Sequence, residues 1–136
     1  MPKIVLANGT FDPLHYGHVL HLREASKLGD ILVVSLTKNE SVTRQKGDAR
    51  PRFDEEVRAD MLRELRCVDR VILVDGLLEA LYIVWPQVLV KGAEYEGLIQ
   101  QAHEEFCKAN GVEIVLTKTK KYSSSEMLAK GYFDKS

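Results

Sequence analysis

Short, continuous apolar runs alternate along this chain with segments whose apolar residues recur at helical spacing. Lys3 to Asn8 is rich in branched residues and ended by Gly9, the pattern of a strand buried on both faces. From Gly17 to Leu28 the apolar positions Val19, Leu20, Leu22, Ala25 and Leu28 predict a helix, and Gly29-Asp30 supplies its stop. Ile31 to Leu36 repeats the buried-strand pattern. The polar stretch from Thr37 to Arg52 reads as one long connection, of a length that is often functional. Glu55 to Leu65 predicts a second helix and Val71 to Val74 a third strand. Leu77 to Val84 predicts a short helix closed by Trp85-Pro86, because the residue before a proline disfavours helix. A fourth strand follows at Val88 to Val90, then a helix from Leu98 to Ala109 capped by Asn110-Gly111. Val112 to Leu116 reads as a fifth strand and Ser124 to Lys130 as a last helix.

This alternation predicts an α/β fold, a five-stranded parallel sheet with right-handed crossovers and helices on both faces. A ligand then belongs beyond the carboxyl ends of the strands, near a topological switch point. The unusual residues do follow strands: Gly9 to His18 the first, Lys91 to Tyr95 the fourth, and Lys118 to Ser125 the fifth. With 136 residues, one domain spanning 1–136 holds the whole site.

Charge and composition narrow the function. Lys and Arg number 19 against 20 Asp and Glu, so the net charge of −1 predicts no nucleic-acid or membrane surface, and any anion is bound locally. Cys67 and Cys107 lack CxxC spacing, and the first residues lack the apolar run of a signal peptide, which makes a cytoplasmic setting the expectation. No stretch reaches the roughly 20 apolar residues of a membrane helix.

The string Gly9-Thr10-Phe11-Asp12-Pro13-Leu14-His15-Tyr16-Gly17-His18 sits at a strand-to-helix turn. His15 and His18, three apart, share a side of the helix start. Gly17 between them leaves no side chain to block a phosphate, and open N–H groups at the helix N-terminus attract an anion. The two imidazoles can donate to its oxygens. Zinc is the rival reading of such a pair, but no third and fourth ligand stands at usable spacing, so no metal ligand is assigned.

This string resembles the HxGH signature of the cytidylyltransferase-like nucleotidyltransferase superfamily, which implies a Rossmann-like domain. The resemblance continues in Lys27-Leu28-Gly29-Asp30, Lys46-Gly47-Asp48-Ala49-Arg50-Pro51, Arg58, Val90-Lys91-Gly92-Ala93-Glu94-Tyr95 and Tyr122-Ser123-Ser124-Ser125. The pattern is similar first to the nucleotidyltransferase domain of ADP-heptose synthases, then to glycerol-3-phosphate cytidylyltransferases. Archaeal FAD synthetases share the front motif. The resemblance implies that Gly9, Thr10 and Phe11 meet the nucleotide through their backbone, while His15, His18 and Lys46 hold phosphates and carry catalysis. Gly17, Arg58, Lys91, Gly92, Glu94, Lys118, Tyr122, Ser123, Ser124 and Ser125 complete the implied nucleotide site. Three departures stand out: Ala93-Glu94 where the heptose enzymes have Gly-Asp, a serine triplet where the family has Ser-Thr-Thr, and Lys118 where cytidylyltransferases have arginine. Ser123 and Glu126 also have capping-box spacing, so those serines start a helix whether or not they cradle a phosphate.

The reaction so implied joins the nucleotide of ATP or CTP to a phosphorylated acceptor such as heptose 1-phosphate and releases pyrophosphate. Glycerol 3-phosphate, a phosphonate or FMN are alternative acceptors, and a non-catalytic nucleotide-binding module is the alternative of another class. An acceptor phosphate with a second pKa of about 6 is its own nucleophile, which suits a sequence without a triad or a carboxylate pair. Mg²⁺ is expected on the NTP phosphates. A homodimer is compatible with the resemblance.

Overall fold

The computed structural model describes residues 1–118. Tyr122, Ser123, Ser124, Ser125 and the helix expected at Ser124 to Lys130 lie outside the described residues. The strands are β1 (Ile4–Gly9), β2 (Ile31–Thr37), β3 (Arg70–Val74), β4 (Val88–Lys91) and β5 (Glu113–Leu116). The helices are α1 (Tyr16–Ser26), α2 (Asn39–Lys46), α3 (Glu55–Arg63), α4 (Leu77–Val84) and α5 (Gln101–Asn110), with a 3₁₀ turn at Ala93–Tyr95. All strand pairs are parallel, in the order β3-β2-β1-β4-β5.

β1 is central, pairing Ile4 with Ile31 through Gly9 with Leu36 on one side and Val5 with Val88 through Ala7 with Val90 on the other. The direction of winding reverses between β1 and β4, so the crevice opens at the carboxyl end of β1. Alternate residues of β1 serve opposite layers. Val5 and Ala7 join Leu22 and Ala25 of α1 and Leu62 of α3, whereas Leu6 joins Leu77 and Leu81 of α4 and Phe106 of α5. Helices on both sides keep water from either face, which is why these strands read as unbroken apolar runs.

Two helix ends follow from local chemistry. Trp85, held before Pro86, leaves α4 with φ of 51° and donates its amide to the Leu81 carbonyl. Gly111 closes α5 at φ 67°, its amide bonded to Cys107.

The stretch from Thr37 to Arg52 departs from the expected single connection by containing α2. Only Ser41 and Val42 of that helix are buried, so it offers almost no apolar periodicity to read. Its support is tertiary. The Asn39 amide donates to Oε1 of Glu55 at 2.7 Å, and the Asn39 side chain donates to Oδ1 of Asp54 at 2.6 Å, so the foot of α3 caps α2. α5 begins at Gln101 rather than Leu98, because Leu98 is exposed and bonds back to Tyr95 in the preceding turn.

Candidate active site

β1 delivers the chain into a turn that folds back on itself. Phe11 adopts φ of 50°, and its ring lies so close over Gly9 that a Cβ there would stand 2.8 Å from the ring edge. Only glycine fits. The Phe11 ring, 5% exposed, meets His18 edge-on at 4.9 Å between centroids.

Asp12 ties this turn to the segment after α2. Its side chain is fully buried, accepting from Arg50 Nε at 3.0 Å and from the amides of Arg52 and Phe53 at 2.7 and 2.8 Å. Burial alone would raise its pKa. The two amides and the guanidinium outweigh that effect and hold it below the usual carboxylate range.

Arg58 is placed apart from the other expected site residues. It lies 1% exposed on α3, donating from Nε to the Phe53 carbonyl, from Nη1 to the carbonyls of Thr10 and Thr37, and from Nη2 to Oδ1 of Asn39. It braces the carboxyl ends of β1 and β2 from behind and is not among the residues lining the cavity at those strand ends. Lys118 lies apart as well. It is exposed past β5, its amide donates to Glu24 Oε2 at 2.8 Å, and it is not on the cavity wall.

The start of α1 is closed by its own histidines. His15 is the N-cap, and its Nδ1 accepts from the Gly17 amide at 3.1 Å; Nδ1 of His18 accepts from the His15 amide at 3.2 Å. The rings stack 3.8 Å apart at 24°. This reciprocal pattern has the logic of a capping box with imidazole in both places. It also revises the expectation of open amides there, since those of His15 and Gly17 are already engaged. A neutral imidazole that accepts at Nδ1 carries its proton at Nε2, so the cap assigns the tautomer of both rings.

Around this cap lies a cavity of about 680 Å³, at the carboxyl ends of the strands. Gly9, Thr10, Phe11, His15, Gly17 and His18 form one wall. Lys46 reaches it from the end of α2, and Arg50 and Arg52 from the loop beyond. Lys91, Gly92 and Glu94 reach it from the end of β4. The Lys91 ammonium sits 4.1 Å from the centroid of the Tyr95 ring, and burial pulls its pKa down against the opposing pull of Glu94. The Glu94 carboxylate folds back over Gly92, where a side chain would collide with it. Among the described residues, no group of three or more His, Cys, Asp or Glu is placed to hold a metal ion.

Most of the sequence-derived site therefore converges on one cavity, apart from Arg58, Lys118 and the residues beyond 118. Sequence reasoning did not assign Arg52, His21, Thr117 or His103, which also line it. His21 carried a legible signal, one helical turn beyond His18. His103 carried none, because only the sheet order brings the start of α5 to the cavity.

The family model described as cytidylyltransferase-like matches residues 6–130. The chain is 43% identical over 118 residues to the bifunctional protein HldE of Citrifermentans bemidjiense, a match covering 84% of this chain and 24% of that protein. It is 47% identical over 95 residues to HldE of Helicobacter pylori strain P12, covering 68% of this chain and 21% of that protein. The chain thus spans about a quarter or less of these relatives. Among solved structures it is similar to a lipopolysaccharide core biosynthesis protein from Thermoplasma volcanium GSS1, with 34% identity and a TM-score of 0.73 over 90% of this chain and all of the other. A pantoate-β-alanine ligase from Francisella tularensis, 17% identical with a TM-score of 0.62 over 90% of this chain and 61% of that one, shares the fold. A parallel sheet wound outward from β1, a histidine-capped helix at its carboxyl end and a family match spanning nearly all the chain agree: this protein belongs to the cytidylyltransferase-like family.

Proposed function

We propose that the chain is a nucleotidyltransferase that joins the nucleotide of ATP or CTP to the phosphate of a small acceptor, a sugar 1-phosphate such as heptose 1-phosphate in first place, and releases pyrophosphate. The observation that carries this reading is the histidine cap. Two imidazoles with Nδ1 bound to backbone amides line the same cavity as Lys46 and Arg52.

The acceptor dianion attacks the α-phosphorus, the bond from that phosphorus to the β-phosphate oxygen breaks, and pyrophosphate leaves with the electron pair. No general base is required, because the attacking oxygen already bears its charge near neutral pH. What remains is orientation and charge stabilisation. In this reading the Nε2–H groups of His15 and His18 donate to the phosphoryl oxygens as charge builds, and Lys46 with Arg52 takes up the leaving pyrophosphate. Asp12 holds the cationic loop in register without touching substrate. Mg²⁺ enters as the complex of the triphosphate, held mainly by phosphate oxygens and water, which suits a site whose buried carboxylate is already bonded on both oxygens.

The heptose assignment is supported by the similarity to HldE proteins and by the Lys-Gly-x-x-Arg-Pro and Val-Lys-Gly-x-x-Tyr segments. The test is pyrophosphate release with ATP or CTP and Mg²⁺, each against heptose 1-phosphate, glycerol 3-phosphate, a hydroxyalkyl phosphonate and FMN. Release that needs one nucleotide and one acceptor establishes the reaction and names it. Silence across the panel with tight NTP binding would replace the enzyme with a nucleotide-binding module.

A further inference from the structure

All four histidines of the chain line the same cavity, and they form two pairs with different surroundings. His15 and His18 belong to the cationic side, with Lys46, Arg50 and Arg52. His21 and His103 stand on the other side, near the ends of β4 and β5, and the machinery proposed above uses neither. His21 occupies the face of α1 one turn beyond His18. Its Nδ1 lies 2.9 Å from Oγ1 of Thr117, a residue 96 positions later in the chain. Thr117 is itself fixed, 2% exposed and with its amide donating to the Lys91 carbonyl at 2.9 Å. One nitrogen of the His21 ring is thus anchored to the wall, which fixes how the half-buried ring is presented to the cavity.

The electrostatics of this side differ from those of the phosphate side. Burial holds His21 below the ordinary imidazole range, Glu94 and Glu24 oppose that shift, and Lys91 adds to it. Burial and Lys91 act on His103 in the same direction. Two imidazoles whose charged form burial disfavours therefore stand beside one cation, Lys91, and two anions, Glu94 and Glu24. A triphosphate finds its charge complement on the opposite side, with Lys46, Arg50 and Arg52. This side instead suits the uncharged, flat end of a nucleotide, whose base edge carries donors and acceptors but no net charge.

We propose that His21, held in place by Thr117, reads the base edge of the bound nucleotide by a hydrogen bond from its outer ring nitrogen and sets the preference of the site among nucleobases. A base is an aromatic heterocycle with fixed donor and acceptor positions. A ring nitrogen of fixed direction distinguishes one such edge from another, because the mismatched edge leaves a buried polar group unpaired.

The proposal rests on the nucleotide-binding reading of the cavity, and its test separates the two. Dissociation constants of the full chain are measured by calorimetry for ATP, CTP, GTP and UTP as Mg²⁺ complexes, and for inorganic tripolyphosphate, which has no base. The wild type is compared with His21→Leu, His21→Gln and Thr117→Val. The expected result is a wild-type preference for one base of at least about tenfold, reduced to within about threefold by His21→Leu, with tripolyphosphate affinity unchanged. Thr117→Val, which keeps the shape and removes the anchor, produces part of the same loss. His21→Gln, which retains a polar terminus, alters the order of preference and covers the case in which the leucine variant folds poorly. A base preference that survives both His21 substitutions, or a parallel loss of tripolyphosphate affinity, overturns the proposal. A wild type that binds all four nucleotides equally also overturns it. A wild type that binds none of them overturns the nucleotide reading itself.

Discussion

Arg50 Nε stands 3.0 Å from Oδ2 of Asp12, joining two turns 38 residues apart. One turn carries the histidine cap and the other carries the cations opposite it. This pair and the two amides beside it therefore set the width of the cavity between those two turns.

Asp12→Asn is expected to lower stability by about 2 kcal/mol at pH 7, since a buried charge-assisted pair is lost while one acceptor oxygen is kept. The effect has a definite pH dependence. The folded-state pKa of Asp12 lies below its unfolded value, so its contribution is present above about pH 4 and fades as pH falls towards the folded value. Urea melts of both proteins between pH 7 and pH 3 should converge at the acid end. A gap of constant size across that range would show that the carboxylate charge is not what holds the turns together.

In the proposed mechanism His18 has one role on each ring nitrogen, and isosteres separate them. In His18→Asn the amide oxygen replaces Nδ1 and still caps the His15 amide, but nothing replaces Nε2. Turnover should fall by about 10²-fold to 10³-fold with little change in melting temperature. His18→Ala should lose the cap as well, at a further cost of about 1 kcal/mol. Steady-state kinetics paired with thermal melts checks both, and an asparagine variant with wild-type turnover would remove Nε2 from the mechanism.

Arg58→Lys is expected to destabilise the fold by about 3 kcal/mol, because a single ammonium cannot serve the carbonyls of Phe53, Thr10 and Thr37 and the Asn39 side chain together. The denaturation midpoint is the primary measurement and KM for the nucleotide the second. If stability is untouched while KM rises, the arginine contacts the nucleotide after all.

The fold was largely legible because buried parallel strands announce themselves as apolar runs, and each run was followed by the residues that line the cavity. α2 was not legible, since its first backbone amide is capped by Glu55 of another helix rather than by its own sequence. The site was legible where residues lie close along the chain, as with His15, Gly17 and His18. It was silent on the surroundings of Arg58, because a sequence motif records that an arginine is required but not whether its donors face a phosphate or, as in the structure, main-chain carbonyls. It was incomplete at His103 and Thr117, which reach the cavity only through the pairing of β4 with β1 and β5.

In the proposed mechanism the cap at His15 places folding and chemistry in the same side chain, and protein engineering meets that overlap directly. Serine and aspartate are better helix starters than histidine, so an algorithm optimising stability alone would replace His15 and report an improved protein. The redesigned helix would fold more firmly around an inert cavity. Thermostabilisation of this chain therefore has to exempt the first turn of α1 and seek its gains elsewhere, for instance among the exposed positions of α2, whose sequence contributes little to its own helix.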